Sequence, residues 1–199
     1  MAKLRPSLLA GPLLFLVGLI GLGVGFFVFK PPQPGSVTQT SALVGGPFRL
    51  VDQDNRPVTE ADMKGKPFMV FFGFTHCPDV CPTKLFEISQ VLNIVEKDQP
   101  GITALFVSVD PERDTPDVMK RYLSSFNPGI KGLTGDQASV DAVVKAYRAY
   151  AKKVPLEDGT YTMDHTSLVY LMDGKGGFVT SLDMTKRDTE IADEIRRRL

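Results

Sequence analysis

The sequence predicts an α/β domain carried behind one N-terminal transmembrane helix. Three observations predict it: an uncharged apolar run over residues 7–29, two strand-like apolar runs at residues 66–74 and 102–109 with helically spaced apolar residues between them, and a late pair of β-rich stretches joined by a glycine-rich turn.

Residues 7–29 contain no charged side chain, and as a helix these 23 positions span roughly 34 Å, enough to cross a bilayer. A cleaved signal peptide would have an apolar region of about 7 to 15 residues closed by a small-residue cleavage site. Here the run is longer, and the nearest weak candidate, Thr40-Ser41-Ala42, lies well past it, which favours an uncleaved anchor. The absence of cysteine near the N-terminus excludes a bacterial lipoprotein anchor. Lys3 and Arg5 precede the segment and only Lys30 follows closely, so the positive-inside tendency keeps residues 1–6 in the cytoplasm. The expected protein is single-pass in the inner (cytoplasmic) membrane, with its C-terminal domain in the periplasm. Gly21 and Gly25 form a small-xxx-small pair, read here as ordinary glycines of such a helix.

Residues 30–44 begin Lys30-Pro31-Pro32-Gln33-Pro34-Gly35 and continue rich in Ser and Thr, a composition that packs poorly and makes an extended linker. Residues 45–199 then have the size of one domain with a substantial core. They carry 20 basic against 23 acidic residues, a balance that gives no sign of nucleic-acid binding.

Within this domain, apolar pieces at residues 48–51 and 57–59 flank the turn-rich Asp52-Gln53-Asp54-Asn55-Arg56, a leading hairpin. Residues 66–74 read as a buried central strand. Leu85, Ile88, Val91, Leu92 and Val95 have helical spacing, and residues 102–109 form the second buried strand. Thr115 and Pro116 read as the cap and first turn of a helix carrying Val118, Met119, Tyr122 and Leu123. A helix at about 139–149 follows. Residues 167–172 and 177–182, joined by Asp173-Gly174-Lys175-Gly176, read as a hairpin before a closing helix from about Thr189. Strand–helix–strand, then hairpin, then helix is the thioredoxin-like order.

Cys77 and Cys81 are the two cysteines of the chain, and they lie where the first buried strand meets its helix. A structural disulfide there would close almost no loop and so stabilise little. A helix N-terminus also stabilises thiolates, so the pair is placed for dithiol redox chemistry or for metal ligation. The usual dithiol enzyme of this fold has two residues between its cysteines; three residues leave room for an ion between sulfurs on one face. Cu(I) is soft and accepts few ligands, whereas zinc needs about four. The chain has two histidines, and His76, adjacent to Cys77, should point to the other side of the backbone. His165 lies just before the strand at 167–172, on the junction that faces the cysteine helix in a thioredoxin-like fold, where dithiol enzymes usually carry a cis-proline. A histidine there favours metal over dithiol exchange, with Cys77, Cys81 and His165 as ligands.

Three stretches, Phe72-Gly73-Phe74-Thr75-His76-Cys77-Pro78-Asp79-Val80-Cys81-Pro82, Val107-Ser108-Val109-Asp110-Pro111-Glu112-Arg113-Asp114-Thr115-Pro116 and Asp164-His165-Thr166-Ser167, resemble the Sco (SenC) family of copper proteins of cytochrome c oxidase assembly. The resemblance implies a thioredoxin-like fold with an inserted β-hairpin, and Cys77, Cys81 and His165 as ligands of copper, as Cu(I) or Cu(II). It implies delivery of copper to the binuclear centre of oxidase subunit II or another acceptor, with an upstream copper donor or thiol reductant. The alternative is a thiol–disulfide reductase in which Cys77 and Cys81 are the redox pair and keep the acceptor cysteines reduced.

Other residues have plainer readings. The stretch at 110–116 is expected to end a strand and start a helix by local effects, and Asp79 to favour the start of the cysteine helix. The seven methionines do not cluster and read as packing. A peroxidase of this fold would need an activated cysteine beside an arginine, and no pattern asks for it.

Overall fold

The computed structural model describes residues 44–199. The expected cytoplasmic residues 1–6, the transmembrane segment 7–29 and nearly all of the linker 30–44 lie outside the described residues. Among the described residues no helix is long and apolar enough to cross a membrane.

Among the described residues nine strands and four α-helices follow in the order β1 (Arg49–Asp52), β2 (Pro57–Thr59), β3 (Phe68–Gly73), α1 (Val80–Val95), β4 (Thr103–Ser108), α2 (Pro116–Leu123), β5 (Ile130–Thr134), α3 (Gln137–Ala146), β6 (Ala151–Pro155), β7 (Tyr161–His165), β8 (Val169–Met172), β9 (Phe178–Leu182) and α4 (Asp188–Arg198), with a short 3-10 helix at Glu60–Met63. Seven strands form one sheet in the order β2-β1-β5-β4-β3-β8-β9, and β6 and β7 form a separate two-stranded sheet. At its centre β3, β4 and β5 run parallel, while β8 and β9 on one side and β1 and β2 on the other are antiparallel.

The parallel centre follows from the sequence. All six residues of β3 are buried, as a strand covered on both faces requires. The crossovers through α1 and α2 return the chain in parallel register, pairing Phe71 with Phe106 and Phe106 with Gly132. Leu85, Ile88, Val91, Leu92 and Val95 are the buried stripe of α1, the positions read from the spacing. Phe71 stacks on Phe106 and Phe106 on Tyr122 of α2, while on the opposite face Phe72 meets Tyr147, just beyond α3, and Tyr170 of β8. The side chain of Thr115 accepts the Val118 amide and Pro116 opens α2, as expected.

The structure differs from the sequence reading at two strand regions and one helix. β5 was not anticipated, because Lys131 and Gly132 interrupt its short apolar run. Gly132 is there for packing: a Cβ would lie 2.6 Å from Leu123 Cδ1 and 2.8 Å from Met119 Cε, so α2 lies on the bare backbone. The β6–β7 hairpin, expected from the resemblance without assigned residues, pairs Ala151 with His165 at its base. Its turn carries Gly159 at φ +80° and an Asp158 carboxylate accepting the Thr160 amide at 2.9 Å. The helix expected at 139–149 is Gln137–Ala146: Asp136 caps it by accepting the Ser139 amide at 2.7 Å, and the left-handed φ of 54° at Arg148 turns the chain away after its end.

Leu85 is fully buried between α1 and the sheet. Leu85→Ala is expected to lower stability by about 2 to 5 kcal/mol, read as a shifted urea midpoint with an unchanged slope.

Candidate metal centre

The centre is assembled at the end of β3. After Gly73 the chain turns through Phe74, Thr75 and His76 to Cys77, whose amide donates to the Phe74 carbonyl at 3.3 Å. Cys81, the second residue of α1, is completely buried, whereas Cys77 is half-buried. The Cys81 amide, one of the free donors at the helix start, donates to Cys77 Sγ at 3.4 Å. Gly73 makes the approach feasible: a Cβ there would stand 2.8 Å from Cys81 Sγ and 2.6 Å from Phe106 Cε2.

His165 ends β7 and places Nε2 3.6 Å from Cys81 Sγ. Its Nδ1 lies 3.0 Å from the Thr166 carbonyl oxygen. A carbonyl only accepts, so Nδ1 carries the hydrogen and Nε2 keeps a lone pair facing the sulfurs. Edge-on contacts with Phe71 and Phe74 hold the ring. The ligand atoms of Cys77, Cys81 and His165 all lie within 4.8 Å of one another. An ion bonded at about 2.0 to 2.3 Å holds its ligands roughly 3.5 to 4 Å apart, so small side-chain rotations suffice to close this set on one ion.

Burial pushes the Cys81 thiol well above the ordinary cysteine range, the opposite of what a helix start alone would do. Both cysteines are free thiols in this structure.

Two devices position the set, and both come from the stretch at 110–116. Asp114 is fully buried and accepts three hydrogen bonds: the Thr75 amide at 3.0 Å, the Thr75 hydroxyl at 2.6 Å and the Ser108 hydroxyl at 2.6 Å. It therefore fixes the cysteine loop from 39 positions away. Asp110, also buried, accepts the Tyr161 hydroxyl at 2.9 Å and pairs with Arg113. Arg113 in turn donates to the Tyr161 carbonyl at 3.0 Å and lies 3.8 Å above its ring. This docks the strand that ends in His165. The sequence reading gave the stretch a purely local role; the missed signal was two aspartates in the short loop that leaves a buried strand, where burial obliges a carboxylate to find partners.

His76 is half-exposed beside Thr75 Oγ1 at 3.1 Å and stays outside the cluster, as expected. Asp79 is exposed and makes no side-chain cap, so its expected help to the start of α1 is not seen. Met63, Met69, Met119, Met172 and Met184 are buried in the core.

Fold and site together define a thioredoxin-like protein with two thiols and one imidazole converging on a single point. A family model described as SCO1/SenC matches residues 36–199, and the chain belongs to that family. It is 42% identical to the mitochondrial SCO1 homolog of Homo sapiens over 156 residues, 77% of this chain and 52% of that one. It is 32% identical to an SCO2-like protein of Rickettsia felis over 187 residues, 89% and 91% of the two chains. The chain spans about half the length of the mitochondrial relatives it matches first. The structure of Bradyrhizobium japonicum ScoI with copper bound superposes with a TM-score of 0.74 at 56% identity, covering 78% of this chain and 99% of that one.

Replacing Asp114 by Asn leaves one of its three donors facing an NH2 group and is expected to cost about 1 to 3 kcal/mol in urea denaturation. In the reduced protein, iodoacetamide should label Cys77 before Cys81, a result read by peptide mass spectrometry. Equal labelling rates would contradict the burial described here.

Proposed function

We propose that this chain is a membrane-anchored copper carrier that assists assembly of the binuclear copper centre of cytochrome c oxidase. The observation that carries the reading is the convergence of two free thiols and a bare imidazole nitrogen within 4.8 Å. Two sulfurs and one nitrogen suit a soft ion of low coordination number, and among the described residues no fourth His, Cys, Asp or Glu joins them to suit zinc. Likeness to the copper-bound ScoI supports the same assignment. In this reading residues 7–29 anchor the protein in the inner membrane, residues 30–44 hold the domain off it, and residues 45–199 work in the periplasm. Copper is cargo: Cys77, Cys81 and His165 hold it, and cysteines of oxidase subunit II or another acceptor take it by ligand exchange.

A second reading is favoured by the unequal exposure of the sulfurs. A half-buried Cys77 suits attack on a partner disulfide, and a buried Cys81 suits resolution. The Cys77 thiolate would displace one partner sulfur as a thiolate and form a mixed disulfide. Cys81, deprotonated, would then displace the second, leaving a Cys77–Cys81 disulfide and a reduced partner.

A Cu(I) titration of the reduced full chain in detergent against a colorimetric chelator tests the first reading. One tight equivalent is expected. Loss of an outer-shell partner typically weakens metal binding about 10- to 100-fold, and His165→Ala, which removes a ligand, should exceed that. Equal affinity in parent and variant would show that His165 is not a ligand. For the second reading, Cys81→Ser should accumulate a covalent complex with the acceptor through Cys77, and the absence of any such species in this variant and in Cys77→Ser counts against it.

A further inference from the structure

The end of the sheet away from the ligands is basic, and the chain enters the domain there. β3, β4 and β5 all run from this end toward the ligand end, so Phe68, Thr103 and Ile130 mark it, with Met172 of β8 paired to Phe68. Five exposed lysines gather around it. Lys64 and Lys66 precede β3, Lys131 lies at the start of β5, and the three line one groove. The Gly65 amide donates to the Gly174 carbonyl at 2.8 Å, which sets Lys175 beside them, and Lys97 follows the end of α1. The Gly45 amide donates to the Ala146 carbonyl at 3.0 Å, and a Cβ on Gly45 would stand 2.8 Å from Met172 Cε and 3.3 Å from the Gly176 carbonyl oxygen. Residues 1–43 therefore join the domain at its lysine end.

Among the described residues none of these five lysines forms an ion pair; the paired lysines are Lys84, Lys120, Lys153 and Lys186. The acids nearby are mostly engaged. Asp62 accepts the Thr59 amide and hydroxyl, Asp98 pairs with Arg196, and Asp173 accepts amides of its own turn. That leaves exposed Glu96 set against the five lysines. Like charges so placed repel one another, and a surface of opposite charge relieves the repulsion.

We propose that this lysine end is a docking surface for anionic phospholipid headgroups of the bilayer that holds the chain, so that the metal ligands point away from the membrane. The proposal rests on reading residues 7–29 as a membrane anchor. The point of attachment selects the occupant: a chain tethered to a bilayer through this end keeps the lysines at high effective concentration near headgroups, an advantage no soluble anionic partner has. The linker keeps the domain clear of the bilayer interior, and the lysines decide which end faces the headgroups. β3 rises about 17 Å over its six residues, so the ligand end stands that far beyond the docked end, with half-buried Cys77 open to an acceptor.

The test uses the full-length protein in nanodiscs of phosphatidylcholine alone or with phosphatidylglycerol added, acylated by an uncharged lysine reagent and read by peptide mass spectrometry. Lys64, Lys66, Lys97, Lys131 and Lys175 should each label about fivefold more slowly in the anionic discs, the factor that corresponds to one lysine's attraction to an anionic membrane surface. Lys152, which pairs with Asp164 beside His165, should label equally in both. High salt should abolish the difference. Combining Lys64→Gln, Lys66→Gln and Lys175→Gln should restore labelling of Lys97 and Lys131 and leave Cu(I) affinity unchanged. Equal labelling in the two kinds of disc would overturn the proposal, and so would slowing that extends to Lys152. Flotation with phosphatidylcholine vesicles in high salt tests the anchor separately. A chain that floats but shows no lysine protection loses this proposal and keeps its anchor, whereas a chain that does not float loses both.

Discussion

Residues 110–114, between β4 and α2, hold both halves of the metal centre. Asp114 closes the cysteine loop through Thr75, and Asp110 with Arg113 closes the β6–β7 hairpin through Tyr161. Cys77 and His165 are 88 positions apart and reach one point because both segments are fastened to this one short loop. Its two carboxylates are buried at 2% and 0% exposure, and a buried charge is tolerated only when its lone pairs are filled. Asp114 accepts three donors, and Asp110 accepts the phenol of Tyr161 and pairs with a guanidinium. The same desolvation that would make these aspartates costly if unpaired makes loss of a partner expensive, so the loop is rigid for the reason that it is polar.

Around the ligands the surroundings are mainly apolar and aromatic. Phe71 and Phe74 flank His165, and Phe106 and Cys81 both border the space over Gly73. Such walls exclude water and favour soft sulfur ligation over hydrated, oxygen-rich sites. Exposure is confined to one side, since Cys81 is sealed and Cys77 is half-open. An incoming ligand, sulfur or metal, meets Cys77 first. That asymmetry serves both functional readings alike, because ligand exchange and disulfide exchange each begin with attack at the more accessible sulfur.

Periodicity revealed the parallel centre, the cysteine helix and the closing hairpin because each has an uninterrupted pattern: six buried residues in β3, a five-member stripe on α1, a glycine turn before β9. The ligand set was legible from residue type and from the junctions on which Cys77, Cys81 and His165 fall. β5 was not legible, because Gly132 lacks a side chain for a tertiary reason, the closeness of Met119 and Leu123, which leaves no trace in a window of five residues. The role of Asp114 was hidden for a related reason. Its partners, Thr75 and Ser108, lie on other elements, and a local reading of Asp-Thr-Pro as a helix start was already sufficient to explain the residues.

The hairpin shows how a contact remote from the ligands decides their geometry. Side chains alternate along β7, so Tyr161, Met163 and His165 share one face while Thr162 and Asp164 share the other. A slip of one residue would send His165 to the far face and replace it with Asp164, a hard ligand unsuited to the sulfurs. Cross-strand pairing alone guards this register weakly, because a two-stranded ribbon is marginal by itself. Tyr161 supplies the missing constraint: its carbonyl, ring and hydroxyl are each held by Arg113 or Asp110, and only the observed register presents them. With Tyr161 seated, the residue four positions on is directed at the cysteines, and the Thr166 carbonyl then selects the tautomer whose free nitrogen faces them. The third ligand is therefore positioned by an aromatic anchor at the opposite end of its own strand.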